Sequence, residues 1–404
     1  KDSGVAWIGE VPKHWEVIKL KFKYHFQTGA TPNTGKKENF EGELKWANIS
    51  DLNGSVVYDT TKHINKEAAS KCSMNISPKG SLMYSFKLSV GTVAFCGEDM
   101  YTNEAIASFI PQKNDLKYLF YCAPIFIIHN ANRNIYNAPL LNQELIKNAL
   151  ICLPSLNEQT AIATYLDTHC AKIDNLISIQ QKRIVLLQEL KQSVITHAVT
   201  KGLNPNVEMK QSGVEWIGDV PKHWELVRTR YLCNLCTGSK DTINRVDDGK
   251  YPFYVRSPKV ERIDTYSFDG EAILMAGDGV GAGKVFHYAV GKFDYHQRVY
   301  NFHNFKHVLG KFFYNYISNN FKYIIEEGGA KNTVDSVRLY MIQNFMTTVP
   351  PLEEQMEICN YIEQKEKVFD TSISNAQHQI ELLQEYKQSL ITEVVTGKRK
   401  VTDN

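Results

Sequence analysis

The glycine-rich segment GDGVGAGKV, from Gly277 to Val285, is the pattern in this sequence that most resembles a catalytic or cofactor loop. A P-loop needs a glycine, four further residues and then Gly-Lys-Ser/Thr. Asp278 stands at the first glycine position and Val285 at the Ser/Thr position. The pattern therefore favours a glycine-rich turn between two strands, which could approach a binding partner closely, over a nucleotide-binding loop.

Histidines and cysteines offer two further candidates for chemistry. Cys233 and Cys236 form a single CxxC, whereas a structural zinc ion needs four ligands. His223, ten residues earlier, does not complete a zinc-finger spacing, so buried cysteines are favoured over a metal site. His14 and His223 occupy equivalent positions in a repeat and lack partner ligands at useful spacing. A packing or hydrogen-bonding role is favoured for both, and no metal site is predicted.

Motifs that would give the chain an activity of its own are missing from the sequence. An amino-methyltransferase needs an Asn/Asp-Pro-Pro-aromatic motif, and Asn204-Pro205-Asn206 is the nearest approach to it. A metal-dependent nuclease needs clustered Asp, Glu and Lys, and no such spacing or Ser/His/Asp arrangement is visible. The sequence therefore predicts no catalytic residue.

Composition limits the class of protein. The 404 residues are 43% hydrophobic and 22% charged, with a formal net charge of +2, which excludes a polycation or an acidic disordered chain. No apolar run is long enough for a transmembrane helix, and the N-terminal residues lack a signal-peptide pattern. We expect the eight cysteines to be reduced thiols in a cytoplasmic protein.

The chain contains two copies of one framework. SGVAWIGEVPKHWE from Ser3 returns as SGVEWIGDVPKHWE from Ser212, an offset of 209 residues. LPSLNEQTAIATYL from Leu153 returns in similar form as VPPLEEQMEICNYI from Val349, and LLQELKQS from Leu186 returns as LLQEYKQS from Leu382, both at an offset of 196. The blocks between these segments, 25–152 and 233–348, differ from each other. Two similar frames with two dissimilar inserts indicate one architecture directed at two targets.

Each copy ends in a segment that predicts a long helix. The first, from about Asn157 to Thr200, has no proline or glycine, and Pro154, Gly202, Pro350 and Gly397 mark the predicted ends. Apolar side chains recur at heptad spacing over more than four heptads. We expect the two helices to pack on each other within the chain, with dimerisation or a simple connecting role as alternatives. The predicted seam consists of Leu166, Ile173, Ile177, Ile184, Leu187 and Val194 in the first helix and Ile362, Phe369, Ile373, Ile380, Leu383 and Leu390 in the second.

Both variable blocks indicate mixed α/β structure. GSLMYSFKLSVGTVAF from Gly80 and GEAILMAGDGVGAGKVF from Gly270 predict equivalent strand–loop–strand units. Their loops concentrate side chains that suit base edges or phosphates. The candidate DNA-binding residues are Lys36, Lys37, Asn48, Ser50, Arg133, Asn134, Tyr136 and Asn137 in the first block, and Lys240, Arg245, Arg256, Ser257, Lys284, Arg298, Lys331, Asn332 and Thr333 in the second.

The order of these segments resembles the specificity subunit of type I restriction–modification systems, HsdS. The resemblance rests on the two WIG–PKHWE segments, on PSLNEQ and PPLEEQ, and on LLQELKQS and LLQEYKQS, and it covers essentially the whole chain. It implies an α/β (α+β) fold, with two pseudo-repeated globular mixed α/β DNA-recognition domains separated by two long antiparallel coiled-coil helices. The implied boundaries are 1–152 and 203–348 for the recognition domains, and 153–202 and 349–404 for the helices.

The resemblance also implies a function without catalysis in this chain. Each recognition domain would read one half of a bipartite, asymmetric site in double-stranded DNA, and the helices would set the spacer and dock two modification subunits (HsdM). S-adenosylmethionine would bind the modification subunit, and ATP and Mg²⁺ the restriction subunit (HsdR), so no cofactor and no membrane are expected for this chain. The alternatives are a DNA methyltransferase or nuclease with its own specificity domain, and a coiled-coil adaptor that does not bind DNA.

Overall fold

The chain forms two compact units in a computed structural model that describes residues 1–112, 115–327 and 336–401. Unit 1 comprises Lys1–Ile179 and Gln379–Asn404, and unit 2 comprises Gln180–His378. Each unit therefore contains a globular block together with one part of each long helix.

Unit 1 is built on a five-stranded sheet. Its strands are β1 (Glu16–Lys19), β2 (Phe26–Thr28), β3 (Leu44–Ala47), β4 (Val56–Val57), β5 (His63–Ile64), β6 (Leu82–Ser85), β7 (Val93–Cys96), β8 (Tyr101–Thr102), β9 (Ile106–Phe109), β10 (Asn132–Arg133), β11 (Pro139–Leu140) and β12 (Leu150–Leu153). Its helices are α1 (Lys66–Lys71), α2 (Leu116–His129) and α3 (Gln143–Asn148), with short 3₁₀ helices at Leu20–Phe22, Lys37–Phe40 and Ile49–Asp51. The main sheet has the order β2-β9-β6-β7-β4, beside a small β5-β3-β8 sheet and the pairs β1-β12 and β10-β11.

The long helices are α4 (Leu156–Lys201) and α9 (Leu352–Val395), and the remaining elements belong to unit 2. Its strands are β13 (Met209–Gln211), β14 (Asp219–Pro221), β15 (Glu225–Arg228), β16 (Asn234–Thr237), β17 (Tyr251–Tyr254), β18 (Glu261–Ile263), β19 (Phe268–Ala276), β20 (Phe286–Tyr295), β21 (Val299–His303) and β22 (Met346–Val349). Its helices are α5 (Thr229–Leu232), α6 (Gly310–Asn320), α7 (Lys322–Glu327) and α8 (Leu339–Asn344), with a 3₁₀ helix at Thr242–Asn244. The main sheet has the order β16-β21-β19-β20-β17-β18, beside the pairs β15-β22 and β13-β14.

The two dissimilar blocks share one sheet topology. The antiparallel order β2-β9-β6-β7 in unit 1 matches β16-β21-β19-β20 in unit 2, and each run continues into a parallel partner, β4 or β17. The strand–loop–strand units predicted from the sequence are the antiparallel pairs β6–β7 and β19–β20. The predictions of mixed α/β structure and of equivalent units are therefore confirmed.

Helices α4 and α9 run for 46 and 44 residues. Ser155 and Glu158 form a reciprocal cap at the start of α4, in which the Ser155 amide donates to the Glu158 carboxylate at 3.1 Å and the Glu158 amide donates to the Ser155 hydroxyl at 3.4 Å. Gly202 and Gly397 follow the helix ends with φ of 77° and 72°, a left-handed conformation that glycine adopts without strain. The predicted long helices and their end signals are confirmed.

Apolar residues at the heptad positions contribute to the hydrophobic cores of both units. In unit 1, Leu166 and Ile173 of α4 share a core with Leu390 of α9, and in unit 2, Ile195 of α4 shares a core with Ile362 of α9. The structure buries five of the proposed seam residues and half-buries the other seven. The buried ones are Leu166, Ile173, Ile362, Ile380 and Leu390, and the half-buried ones are Ile177, Ile184, Leu187, Val194, Phe369, Ile373 and Leu383.

Lysines and aspartates of the two long helices form one equivalent ion pair in each unit. In unit 1, Lys387 Nζ lies 2.7 Å from Asp174 Oδ1, and in unit 2, Lys191 Nζ lies 2.9 Å from Asp370 Oδ1. Both the lysines and the aspartates are related by the offset of 196 residues, so each unit repeats one contact between α4 and α9. Such a contact favours one helix register over its neighbours, because a shift by one turn would separate the charges.

Neither a metal cluster nor a membrane helix occurs in the described part of the chain. None of its helices is long and apolar enough to cross a bilayer, and no three His, Cys, Asp or Glu side chains lie together as a metal site. All eight cysteines are free thiols, with Cys233 buried and Cys236 half-buried. Cys236 lies in β16 with its thiol 3.2 Å from the Tyr295 hydroxyl, and Cys233 lies just before that strand at the end of α5.

Candidate nucleic-acid interface

The repeated His-Trp pair contacts a glutamate in the first turn of a long helix in each unit. In unit 1, Glu158 Oε1 of α4 lies 2.8 Å from His14 Nε2 and accepts a hydrogen bond from Trp15 Nε1 at 3.3 Å. The Trp15 ring is buried in the core, and the His14 side chain remains half in solvent. The carboxylate therefore joins the N-terminal repeat to the first turn of α4.

Unit 2 repeats this arrangement. Glu354 Oε2 of α9 lies 2.9 Å from His223 Nε2 and accepts from Trp224 Nε1 at 3.0 Å. Gly202, at the end of α4, packs tightly against this arrangement, because an added Cβ would lie 3.2 Å from both the Glu354 carboxylate and the Trp224 ring. The predicted hydrogen-bonding role of His14 and His223 is confirmed, and both His-Trp-Glu arrangements are structural.

Replacing Glu158 by glutamine is expected to lower the free energy of unfolding at neutral pH by about 1–3 kcal/mol. Burial alone would raise the pKa of Glu158, but hydrogen bonds from His14, Ser155 and Trp15 outweigh it and lower this pKa from 4.5 to about 2. A carboxyl group whose pKa is depressed by folding contributes stability above its unfolded pKa, and that contribution disappears as the pH falls through the folded pKa. The difference between the wild type and E158Q should therefore shrink from about pH 5 towards about pH 2 in thermal unfolding.

A matched control for this substitution is Glu189→Gln, because Glu189 is exposed on the same helix. E189Q should unfold like the wild type across the whole pH range. A destabilisation of E158Q that stayed constant down to about pH 2 would show that shape, not the ionised carboxylate, accounts for the effect.

Unit 2 contains a groove of about 700 Å³ at the end of its main sheet, which we call the basic groove. It is lined by Thr237, Gly277, Asp278, Gly279, Gln297, Arg298, Tyr300, Ser336, Val337, Arg338 and Leu339. Backbone hydrogen bonds fix its walls: Gly277 N donates to Arg298 O at 2.8 Å and Val337 N donates to Gly277 O at 2.7 Å. The Tyr300 hydroxyl donates to Val337 O at 3.1 Å, so three separate chain segments form one rigid concave surface.

Arginine side chains dominate the electrostatics of the basic groove. Asp278 Oδ1 lies 3.0 Å from Arg256 Nη1, and its Oδ2 lies 3.6 Å from Arg298 Nε. Burial raises the pKa of the Tyr300 phenol, and the positive charges of Arg298 and Arg338 oppose that shift from nearby. Because one carboxylate is shared by two guanidinium groups and Arg338 adds a third, the groove favours an anionic or hydrogen-bond-accepting ligand.

His296 lies behind the two arginines and is almost fully buried. Its Nδ1 accepts a hydrogen bond from the Arg298 amide at 2.9 Å, which leaves Nε2 to point towards Asp241 Oδ2 at 3.7 Å. Burial, and then the Arg256 charge, lower the pKa of His296. A neutral His296 therefore holds the backbone of Arg298 in place where Arg298 lines the groove.

Of the other candidates in the second block, the structure places Lys240 beside this region and does not bring Arg245, Lys284 and Ser257 into the groove. Lys240 pairs with His296 through a backbone bridge, and Gln297 N donates to Lys240 O at 2.8 Å. Lys284 lies in the turn between β19 and β20, and Arg245 follows the nearby 3₁₀ helix, where it pairs with Asp247 at 3.8 Å. The side chain of Ser257 is turned back to Lys259 O. Three other candidates, Lys331, Asn332 and Thr333, lie outside the described residues.

The glycine-rich segment is a turn, as the sequence predicts. It joins Ala276, the last residue of β19, to Phe286, the first of β20. At Gly283, with φ of 63°, an added Cβ would lie 2.4 Å from Ile325 and 3.1 Å from Val337. The turn therefore packs closely under the segment that carries Arg338, and it presents Asp278 to the groove.

Two of the candidates in the first block use their side chains for hydrogen bonds within their own loop. Asn48 Oδ1 accepts from the Ser50 amide at 2.8 Å and from the Ser50 hydroxyl at 2.6 Å, and Asp51 accepts from the Asn48 amide. This capping box closes the 3₁₀ helix at Ile49–Asp51, so the Asn48 and Ser50 side chains stabilise a loop. Lys36 and Lys37 lie at the start of another 3₁₀ helix, where both side chains are exposed.

The other candidates of the first block share one short hairpin, β10–β11. Arg133 Nη1 donates to Asn137 O at 3.0 Å, and Asn134 Oδ1 accepts from the amides of Tyr136 and Ala138, each at 2.9 Å. The Tyr136 side chain is 83% exposed. The structure therefore brings these four candidates together at one projecting tip, although Asn134 is used to shape it.

Arg298 is the one described lining residue of the basic groove that was a candidate from the sequence, and the missed residues include Asp278, Gln297, Tyr300 and Arg338. Gln297 and Tyr300 flank the chosen Arg298 on β21 and its preceding turn, so the alternation of side chains along the strand was a usable signal. Arg338 lies far from the others in sequence and reaches the groove only through the pairing of Val337 with Gly277. No local pattern predicts that pairing.

Comparisons with known proteins agree on one family. The model of the type I restriction modification DNA specificity domain matches residues 12–186 and 221–382. The type I restriction enzyme MjaIX specificity subunit of Methanocaldococcus jannaschii is 27% identical over 61% of this chain, and this match spans only 58% of that relative's own length. The putative MjaX specificity subunit of the same organism is 24% identical over 98% of this chain and 96% of its own length. A chain from a structural study of complex assembly and conformational transition of the type I R-M system has the same fold, with TM-score 0.74, 14% identity, and coverage of 96% and 100%.

Proposed function

Since the chain belongs to the type I restriction modification DNA specificity family, we propose that it is the non-catalytic subunit that selects the DNA sequence for a type I restriction–modification complex. Unit 1 and unit 2 each read one half of a bipartite, asymmetric site in double-stranded DNA. The observation that carries this proposal is that both units have the same sheet order but carry different side chains on the loops at equivalent strand ends. A shared frame with different loops is what two half-sites of different sequence require.

The basic groove supplies the chemistry for one half-site. Guanidinium groups donate two parallel hydrogen bonds to guanine O6 and N7 in the major groove, and they also bind phosphates. Asp278 bonds to Arg256 at 3.0 Å and lies 3.6 Å from Arg298, so its charge keeps both guanidinium groups close together before DNA binds. Prepositioned donors lose less conformational entropy on binding, so they favour specific contacts.

We assign the long helices to spacer and docking roles. In the unit 1 part of α4, Leu176 and Ile179 are exposed, and in the unit 2 part, Val185, Leu186 and Leu190 are exposed. Exposed apolar stripes on a helix favour a protein partner, and we propose two modification subunits as that partner. In this proposal S-adenosylmethionine binds those subunits, ATP and Mg²⁺ bind the restriction subunits, and the complex works in the cytoplasm.

Methylome sequencing tests the proposal directly. A host that expresses this chain with its modification subunit is expected to show a bipartite methyladenine motif that disappears when this chain is omitted. Exchanging residues 25–152 for the block of a relative should change one half of that motif and leave the other half intact. The control strain carries the modification subunit alone.

Two other outcomes would contradict the proposal. Methyl transfer by the isolated chain would favour a methyltransferase with its own specificity domain. A stable complex without any methylated motif and without sequence-selective DNA binding would favour a coiled-coil adaptor.

A further inference from the structure

The β10–β11 hairpin has a tip that is ordered from within. Asn134 N donates to Ala138 O at 3.1 Å, and Asn137 N donates to Asn134 O at 2.9 Å. Asn137 adopts φ of 60°, and the Arg133 guanidinium closes the tip by donating to the Asn137 carbonyl. These bonds, with those accepted by the Asn134 side chain, hold the turn in one conformation without help from the core.

This braced tip presents two large apolar side chains to solvent. Ile135 is 90% exposed and Tyr136 is 83% exposed. Because both side chains remain in water, neither contributes hydrophobic stabilisation to the fold. A rigid tip with adjacent uncovered aliphatic and aromatic side chains is suited to insertion into a partner.

The charge and amide content of the hairpin favour nucleic acid as that partner. Residues 130–142 contain Arg133 and five asparagines, and none of them is Asp or Glu. A segment that lacks acidic groups can approach phosphates without repulsion. The side chains of Asn130, Asn134 and Asn142 bond within unit 1, whereas the exposed amides of Asn132 and Asn137 can bond to base edges or backbone oxygens.

The hairpin is connected to the strand end of unit 1 that is equivalent to one wall of the basic groove in unit 2. Gln143, just after the hairpin, donates to the Thr28 hydroxyl at 3.0 Å. Thr28 ends β2, and Thr237, at the end of the equivalent strand β16, lines the basic groove. The residues that follow the hairpin therefore contact the strand end that corresponds to the proposed reading edge of unit 2.

We propose that Ile135 and Tyr136 form a wedge that inserts between two adjacent base pairs of the half-site read by unit 1 and unstacks that step. This inference rests on the proposed function, since it assumes that unit 1 lies against DNA. Apolar wedges of this kind are a known means by which proteins kink a duplex, and stacking against an exposed ring repays part of the cost of unstacking. The wedge would add a preference for easily unstacked pyrimidine–purine steps.

Fluorescence of 2-aminopurine tests the wedge. The full chain, bound to its modification subunit, is added to duplexes of the mapped site that carry 2-aminopurine at successive positions of the unit 1 half-site, excluding the methylated adenine. The wild type is expected to raise the emission at one step, because the base analogue brightens when it is unstacked. Replacing both Ile135 and Tyr136 by serine should abolish this rise and weaken binding roughly tenfold to hundredfold.

Two control variants sharpen the result. Tyr136→Phe keeps the ring and should behave as the wild type. Val290→Ser removes an apolar side chain that is 72% exposed in unit 2 and should change neither emission nor affinity. The unfolding temperature of the double variant should match that of the wild type, because neither side chain is in a core.

The outcomes separate the wedge from the proposed function. Specific binding by the wild type without a rise at any position would overturn the wedge alone. So would a double variant that keeps both emission and affinity. If the double variant instead loses its modification subunit while wild-type DNA stays stacked, the tip is a protein-docking surface. Loss of all sequence-selective binding by the wild type complex would overturn the proposed function, and the wedge with it.

Discussion

Replacing Gly29 by alanine is expected to lower the free energy of unfolding by about 3 kcal/mol or more. Gly29 follows β2, and an added Cβ would lie 1.6 Å from the carbonyl oxygen of Thr102. The obstructing atom belongs to the backbone of β8, so relief requires two chain segments to separate. The hydrogen bond from Ala30 N to Thr102 O, now 3.1 Å, would be lost in that movement.

The twin substitution in unit 2 should have a similar effect. At Gly238, an added Cβ would lie 2.0 Å from the carbonyl oxygen of Tyr295. The matched control is Gly35→Ala, where the nearest atom is the Asn33 side-chain oxygen at 3.2 Å. Thermal unfolding measures all three variants. If G29A unfolded at the same temperature as G35A, the predicted overlap of the added Cβ with the backbone would be contradicted.

These two glycines show where sequence reasoning stopped short. Thr28-Gly29 and Thr237-Gly238 have the same offset of 209 residues as the opening repeat. The blocks around them differ so much that the dipeptide carries no signal by itself. Glycine is needed at these positions because β8 lies against Gly29 and the end of β20 lies against Gly238, and both contacts are distant in sequence.

The parts of the fold that the sequence predicted are those that depend on local patterns. Helices α4 and α9 are long, free of internal proline and glycine, and apolar at heptad spacing, so their existence and ends could be predicted. The shared sheet order could not be predicted, because its strands β2 and β4 have only three and two residues, too few to show an alternating pattern. Pairing across the chain determines such strands.

Residue type alone did not separate binding side chains from structural ones. Asn48 carried a local signal that could have excluded it, since Asn-x-x-Asp is the pattern of a capping box. The convergence of Arg256 and Arg298 had no such signal. It depends on the turn that carries Asp278, and on His296, whose buried ring binds the Arg298 amide.

Replacing Arg298 by alanine is expected to reduce methylation of the cognate site by roughly tenfold to hundredfold and to relax selection at one base pair of the unit 2 half-site. Arg298 Nε lies 3.6 Å from Asp278 Oδ2 and its side chain is 66% exposed, so the guanidinium stays close to Asp278 while its other N–H groups can bond to DNA. Loss of a bidentate contact to a base removes discrimination at that position. The other half-site, read by unit 1, should keep its sequence.

Salt dependence distinguishes a base contact from a phosphate contact at Arg298. If Arg298 reads a base, R298A should retain most of the wild-type dependence of affinity on salt while losing sequence selection. If it binds a phosphate, affinity should fall equally for all sequences, and the slope of log affinity against log salt should decrease by about 1. Lys292→Ala, at an exposed lysine that lies over the Tyr266 ring, is the matched control and should leave the motif unchanged. An R298A methylome identical to that of the wild type would remove the basic groove from the recognition surface, because Arg298 is the most exposed of its ion-paired arginines.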